Sequence, residues 1–116
     1  MQYMLLIYDN EKGWAKVSDA ERNAIRGEYR VFSESIAKSG NYKTGSELQP
    51  TSTASTVRVR NGKPQLTDGP FAETREQLGG YYLIEAKNLD EATAIAARIP
   101  SARTGSIEVR PLVARG

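Results

Sequence analysis

The sequence predicts a single α+β domain, covering residues 1–116, in which one sheet packs against two helices. Three observations predict this. Two segments repeat apolar residues with helical spacing and begin at a capping residue. Apolar or alternating runs with the length of strands lie before, between and after them. A chain of 116 residues also has room for only one core.

The chain opens on a strand and a helix. Met1–Tyr8 is an apolar run that suits a strand buried on both faces, and Asp9–Lys16 is predicted to be a polar loop. Ser18 and Glu21 have the spacing of a capping box, so a helix is expected over residues 18–39. Its apolar stripe consists of Ile25, Tyr29, Phe32 and Ile36, and Gly40-Asn41 supplies a left-handed stop.

The middle of the chain predicts a hairpin. Residues 42–55 contain glycine, proline and many hydroxyl residues, which is typical of an irregular extended segment. Polar and apolar residues alternate strictly over Thr56–Arg60, which is predicted to be the second strand of the sheet, with one solvent-exposed face. Asn61-Gly62 favours a tight turn, because both residues tolerate positive φ, and Lys63–Thr67 is the return strand.

The last third repeats the strand, helix and strand order. Gly79–Ala86 is apolar on both sides around Tyr81-Tyr82-Leu83-Ile84. Asn88 and Glu91 start a second helix that ends at Pro100. Its buried stripe consists of Leu89, Ala92, Ile95, Ala96 and Ile99. Ser106–Leu112 alternates as a final strand.

This order predicts a ferredoxin-like βαββαβ sandwich with an extra hairpin. Right-handed crossovers place both helices on one face, and the strands around Tyr3–Tyr8 and Tyr81–Ile84 are expected to be central. Those strands are apolar toward both faces, so one face needs a cover. A twofold homodimer through the sheet faces is the simplest cover. The alternative is that residues 42–55 and 68–78 fold over that face.

Composition excludes several kinds of site. The chain has no Cys and no His, so disulfides, thiolate nucleophiles, His-based triads and His-ligated zinc or iron are all ruled out. Basic and acidic residues number 16 and 14 and are intermixed, so direct nucleic-acid binding is not expected. No apolar run has the length of a membrane span and no signal peptide is apparent, which predicts a cytoplasmic protein.

Asp68 is the best single candidate for a catalytic residue. It follows a strand and precedes Gly69-Pro70, where the proline restricts the chain. A carboxylate on a rigid turn suits a general base or a hydrogen-bond acceptor for a ligand, although an Asx-turn would explain it equally well. Phe71, next in this turn, is expected to be a core residue, with a ligand platform as the alternative.

Other polar residues are candidates for ligand binding. Glu73 and Glu76 would share one side of a helical turn, where they would divide acid and base roles or bind a divalent cation. The alternative is a solvated connector with local salt bridges to Arg75. Glu108 and Arg110 share one side of the last strand, as Arg58 and Arg60 share one side of the hairpin strand. Either arginine pair suits an anion or an ion pair.

Four tyrosines lie on the central strands, and a core or interface position is the main expectation for them: Tyr3, Tyr8, Tyr81 and Tyr82. The alternative is that one of their hydroxyls orients a ligand in a cleft.

One segment carries a resemblance. Residues 68–82, DGPFAETREQLGGYY, together with RIPSARTGSIEVRPL at residues 98–112 and more loosely residues 1–9, resemble the DGPF family of YCII-related domain proteins. The resemblance covers nearly the whole chain. It implies a dimeric α+β barrel built from ferredoxin-like protomers.

The resemblance leaves two functions open. Related proteins have been proposed to be enzymes because of a His–Asp pair at the dimer cleft, and the His half of that pair is missing here. The first hypothesis is a cofactor-free homodimer with a small-molecule cleft, catalytic through Asp68 and lined by Tyr3, Arg58, Phe71, Glu76, Tyr81 and Arg110. The second, which the resemblance also implies, is a regulatory or ligand-sensing module linked to extracytoplasmic-function sigma factors.

Overall fold

The computed structural model describes residues 1–115 and contains six strands and three helices. The strands are β1 (Gln2–Asp9), β2 (Tyr42–Glu47), β3 (Ser55–Arg60), β4 (Lys63–Asp68), β5 (Gln77–Glu85) and β6 (Ser106–Pro111). The helices are α1 (Glu11–Lys16), α2 (Asp19–Lys38) and α3 (Leu89–Ala96), with short 3₁₀ turns at Thr51–Thr53 and Pro100–Arg103. Among the described residues, no helix is both long and apolar enough to cross a membrane.

Four strands form the main sheet in the order β2-β5-β1-β6, and every neighbouring pair is antiparallel. With α2 and α3 as the two crossovers, this is the split βαβ arrangement of ferredoxin-like folds. The two strands that are apolar on both sides, β1 and β5, occupy the centre, as the sequence predicts.

The second strand of the main sheet differs from the prediction. Tyr42–Glu47 takes the edge position, not Thr56–Arg60, and residues 42–47 therefore extend the sheet instead of lying over it. Thr56–Arg60 belongs to a separate two-stranded sheet with Lys63–Asp68. The edge strand was missed because its outer positions are polar and largely exposed, so it shows no alternating apolar pattern.

The two long helices begin where the sequence predicts. The Ser18 hydroxyl accepts a hydrogen bond from the Glu21 amide at 3.1 Å, and the Asn88 side chain accepts one from the Glu91 amide at 2.9 Å. The expected loop over Asp9–Lys16 is wrong, because Glu11–Lys16 forms the short helix α1. Its cap is Asn10, whose side-chain oxygen accepts from the two amides of Lys12 and Gly13.

The core lies between the main sheet and the helices α2 and α3. We call this face of the sheet the helix side; it carries Tyr3, Leu5, Ile7, Tyr82 and Ile84. From the helices, Phe32, Ile36, Ala92, Ile95 and Ala96 pack against it. The opposite face, here the open face, carries the alternate residues of the central strands, which are half-buried in the protomer: Met4, Leu6, Tyr81 and Leu83.

The hairpin formed by β3 and β4 projects from this body, and we call it the arm. Its turn is at Asn61-Gly62, with φ values of 53° and 74°, as the sequence predicts. The radius of gyration is 16.2 Å. A compact chain of this length would have about 13 Å. The arm therefore extends the molecule instead of joining its core.

Candidate functional site

The site begins with two glycines on the helix side of the sheet. Gly80 in β5 lies opposite Ile7 in β1, and Gly45 lies on the neighbouring edge strand. A Cβ atom at Gly80 would lie 2.9 Å from the Ser46 carbonyl oxygen, and one at Gly45 would lie 2.9 Å from the Tyr81 carbonyl oxygen. Since neither glycine has a side chain, the sheet leaves space under the middle of α2. We call this part of the sheet the glycine floor.

A cavity of about 760 Å³ lies above the glycine floor. Its roof is the middle of α2, at Ile25, Tyr29 and Ser33. Trp14 of α1 and Ser101 of the second 3₁₀ turn also line it. The volume falls within the range of small-molecule sites. The cavity lies inside one protomer, between sheet and helix.

Two tyrosine–serine pairs border the cavity. The hydroxyls of Tyr29 and Ser101 lie 2.6 Å apart, and those of Tyr82 and Ser33 lie 2.7 Å apart. Burial raises the pKa of both Tyr29 and Tyr82 above 10.0, the ordinary value, because the charged phenolate would lose its water. Both phenols therefore stay protonated at neutral pH and can donate hydrogen bonds.

Two carboxylates at the mouth of the cavity already accept hydrogen bonds. Asp9 accepts through Oδ2 from the Thr104 hydroxyl at 2.7 Å. The two oxygens of Glu11 accept from the backbone amide and the hydroxyl of Thr51, each at 2.8 Å. Glu11 thus holds the 3₁₀ turn at Thr51–Thr53 beside α1.

Arginine side chains contribute charge at the same mouth. Arg103 forms an ion pair with Glu28 at 2.7 Å, and this hydrogen bond lowers the pKa of the Glu28 carboxyl. Arg26 also lines the cavity and is exposed to solvent. Cations and carboxylates are therefore mixed at this end, so the mouth does not favour one sign of charge.

Of the candidate tyrosines from the sequence, Tyr82 and Tyr81 line this cavity. The Tyr81 side chain lies on the open face, so Tyr81 borders the cavity through its backbone. Tyr3 lies in the core, with 3% of its surface exposed. Asp68 ends β4 at the base of the arm, opposite Ser55, and is exposed. Gly69 follows it with φ at 95°, in agreement with the tight turn that the sequence predicts. Asp68 and Tyr3 do not share a site with Tyr81 in the protomer.

The remaining candidates are dispersed. Arg58 lies on the arm and its guanidinium donates to the Phe71 carbonyl at 3.4 Å. Phe71 is 76% exposed, so the expected core position is wrong for the protomer. Glu76 accepts a hydrogen bond from the Ser106 hydroxyl at 2.8 Å, and no helical turn forms at residues 73–76. Arg110 pairs with Glu108 on its own strand at 2.9 Å, which is the ion-pair alternative.

Sequence reasoning missed the cavity itself. The sequence predicts Tyr29 as part of an apolar helix stripe, and Tyr82 as a core or interface residue with a cleft hydroxyl as the alternative. Both pack among apolar neighbours. Ser33 and Ser101 carry no pattern that marks them. The signal that could have found it is glycine inside a strand, which often marks a close backbone approach, as at Gly80 and Gly45.

Comparison with known proteins decides the family. The model of the YCII-related domain matches residues 1–114. The chain belongs to the YCII-related domain family. An uncharacterised protein of Rhizobium meliloti is 38% identical over 114 residues, covering 97% of this chain and 92% of that protein. The resemblance seen in the sequence is confirmed.

A solved structure with a similar fold is an enzyme. It is 5-chloro-2-hydroxyhydroquinone dehydrochlorinase (TftG) from Burkholderia phenoliruptrix, in complex with 2,5-dihydroxybenzoquinone. The TM-score is 0.55 at 13% sequence identity, over 97% of this chain and 94% of that one. At this identity the similarity shows that the YCII-related domain described here shares the fold.

Proposed function

We propose that this YCII-related domain is a homodimer that binds a small, planar, hydroxylated organic molecule above the glycine floor. The observation that carries the proposal is the pair of hydroxyl couples, Tyr29–Ser101 and Tyr82–Ser33, bordering one cavity. In a largely apolar cavity a few convergent polar groups are what fix a ligand's orientation.

The chemistry of the cavity favours hydroxyl and carbonyl groups on the ligand. In each couple either oxygen can be the donor, so the couple can offer a ligand both a donor and an acceptor. Trp14 and Tyr42 are part of the lining. The ring centroids of Tyr42 and Tyr82 lie 6.2 Å apart, with the rings edge to face. Rings of this kind suit a flat ligand.

The fold neighbour supports the class of compound. TftG is described in complex with 2,5-dihydroxybenzoquinone, a planar ring with two hydroxyl and two carbonyl oxygens. Because the similarity concerns the fold, this compound serves here as a probe of the cavity.

If the domain is catalytic, the cavity favours Asp9 over Asp68 as its proton acceptor. Asp9 lines the cavity, whereas Asp68 lies at the base of the arm. The chain has no histidine, so a carboxylate is the natural base for cofactor-free proton transfer.

A ligand-sensing module linked to sigma-factor signalling is the second candidate. It is favoured by the hydrogen bonds that Glu11 and Asp9 accept from Thr51 and Thr104, which give both carboxylates a structural role.

The homodimer would form through the open faces of two sheets. Met4 and Leu83 lie opposite each other on that face, and Leu6 lies opposite Tyr81. Since α2 and α3 pack on the helix side, a second copy would bury these side chains by twofold symmetry. The arrangement would give the dimeric α+β barrel that the sequence resemblance implies.

Isothermal titration calorimetry with 2,5-dihydroxybenzoquinone tests the binding site. The protein should bind this probe, and Tyr29→Phe/Tyr82→Phe should weaken binding at least about 10-fold, because two hydrogen bonds are lost. Tyr3→Phe is the matched control, since Tyr3 is a buried tyrosine outside the cavity. Equal binding by all three proteins would place the probe elsewhere, and no binding by any of them would refute this class of ligand.

A further inference from the structure

The arm has one apolar face and one polar face. In its register Val57 lies opposite Leu66 and Val59 lies opposite Pro64, so these four side chains share one face. The pair at the base of the arm, Ser55 and Asp68, ends this face on the side of the main body. The other face carries Thr56, Thr67, Arg58, Gln65, Arg60 and Lys63. Such a division is typical of a strand pair with one buried face.

In the protomer the apolar face is bare. Val57 and Val59 are each 59% exposed and Leu66 is 73% exposed. Phe71, just beyond the arm, is 76% exposed. A two-stranded hairpin is marginally stable in water unless its apolar face packs against something. The sequence of the arm is thus typical of a hairpin with one buried face, but nothing in the protomer covers that face.

We infer that the apolar face of the arm packs on a second copy of this chain, beside the open sheet faces of the proposed homodimer. The inference rests on that homodimer. The same chain offers a second half-buried apolar surface, at Met4, Leu6 and Leu83, that α2 and α3 leave uncovered. Under twofold symmetry each copy both gives an arm and receives one, so both surfaces are buried at once.

The area supports a second copy as the occupant. The exposed side chains of Val57, Val59, Leu66 and Phe71 offer on the order of 300 Å² of apolar surface per arm. If the two copies exchange arms, each copy buries the apolar surface of its own arm. It also buries a similar area of the surface that receives the partner's arm. With the open sheet faces added, this reaches the roughly 800 Å² per partner of a specific interface.

A pair of matched double variants tests the arm. Val57→Lys/Leu66→Glu replaces a directly opposed apolar pair by an opposite-charge pair, which keeps the hairpin paired. Arg58→Lys/Gln65→Glu places the same charges on the polar face and is the control. By analytical ultracentrifugation the first variant should raise the dimer dissociation constant at least about 100-fold, and the control should match the natural protein.

A third variant separates the arm from the sheet interface. Met4→Lys/Leu83→Glu changes an opposed pair on the open face. If this variant dissociates while Val57→Lys/Leu66→Glu remains a tight dimer, the sheet-to-sheet homodimer stands and the arm contact is refuted. If the natural protein is a monomer at 10 μM, about ten-thousandfold above a nanomolar dissociation constant, both are refuted.

A labelling experiment covers the case in which a charged variant does not fold. The chain has no cysteine, so Leu66→Cys introduces a unique thiol. Its rate of reaction with a thiol reagent should fall at least about 10-fold as the protein concentration rises through the dissociation constant, because burial blocks access. Gln65 precedes Leu66 and lies on the polar face, so the thiol of Gln65→Cys should react at the same rate at every protein concentration. Equal rates for both thiols at every concentration would overturn the inference.

Discussion

The hydroxyls of Tyr29 and Ser101 lie 2.6 Å apart and join helix α2 to the turn before β6 along the wall of the cavity. Both residues are partly buried, so the bond is sheltered from water. It fixes this part of the cavity wall, where burial raises the pKa of the Tyr29 phenol and keeps it protonated.

This bond can be measured by a double-mutant cycle. We expect Ser101→Ala to reduce the free energy of unfolding by about 1 kcal/mol, because the half-buried Tyr29 hydroxyl loses its partner. Tyr29→Phe/Ser101→Ala should cost less than the sum of its single variants. Urea denaturation of the four proteins gives the coupling energy, and strictly additive effects would show that the two hydroxyls do not stabilise each other.

The raised pKa values of Tyr29 and Tyr82 predict a loss of stability at high pH. Their folded pKa lies above the unfolded value of 10.0, so the folded state holds protons that the unfolded state releases. The free energy of unfolding should therefore fall as the pH rises from about 10 through the folded pKa.

Tyrosine absorbance at 295 nm during an alkaline titration should show at least two of the six tyrosines ionising late. In Tyr29→Phe/Tyr82→Phe the amplitude of this late phase should fall by two tyrosines. A titration in which all tyrosines ionise together near pH 10 would contradict the burial of these two phenols.

Close backbone approach predicts that Gly105→Ala is damaging. A Cβ atom there would lie 2.0 Å from the Tyr8 carbonyl oxygen, so the β1–β6 junction must shift. We expect a loss of about 1–3 kcal/mol, the usual cost of overpacking. Gly27→Ala is the matched control, since its Cβ would meet nothing within 4 Å in the interior of α2. It should stabilise the protein by about 0.5–1 kcal/mol in thermal unfolding.

The position of Asp68 predicts that Asp68→Asn leaves binding of 2,5-dihydroxybenzoquinone within about twofold of the natural protein, well inside a single hydrogen bond's contribution. Asp68 is exposed at the base of the arm and does not line the cavity. Calorimetry on the folded variant gives the answer. A tenfold loss of affinity would show that Asp68 contributes to the ligand site.

Capping residues and turn chemistry made most of the fold predictable. Ser18, Asn88 and Asn61-Gly62 mark two helix starts and the hairpin, and each is where the sequence places it. The central strands were predictable because they are apolar on both sides.

The missed elements have weak patterns for physical reasons. Helix α1 has six residues, includes Gly13 and buries no side chain, so no apolar stripe marks it. Strand β2 lies at an edge and is mostly exposed, so it lacks alternation.

The candidate site was harder to predict than the fold. A cavity is defined by side chains that are absent, here at Gly45 and Gly80, and by residues that converge from distant parts of the chain. Tyr29, Tyr82 and Ser101 come from helix α2, strand β5 and a 3₁₀ turn, and their spacing in sequence matches no motif. Asp68 drew attention because rigid turns often carry function, whereas its neighbourhood depends on where the arm points.

The crystal structure of the complex with 2,5-dihydroxybenzoquinone is the most direct measurement. We expect the ring between the glycine floor and α2, with one of its oxygens within hydrogen-bond distance of the Tyr29 or Tyr82 hydroxyl. An empty cavity in crystals of a protein that is saturated with the compound, or the compound bound beside Asp68 or on the open face, would contradict the proposed site.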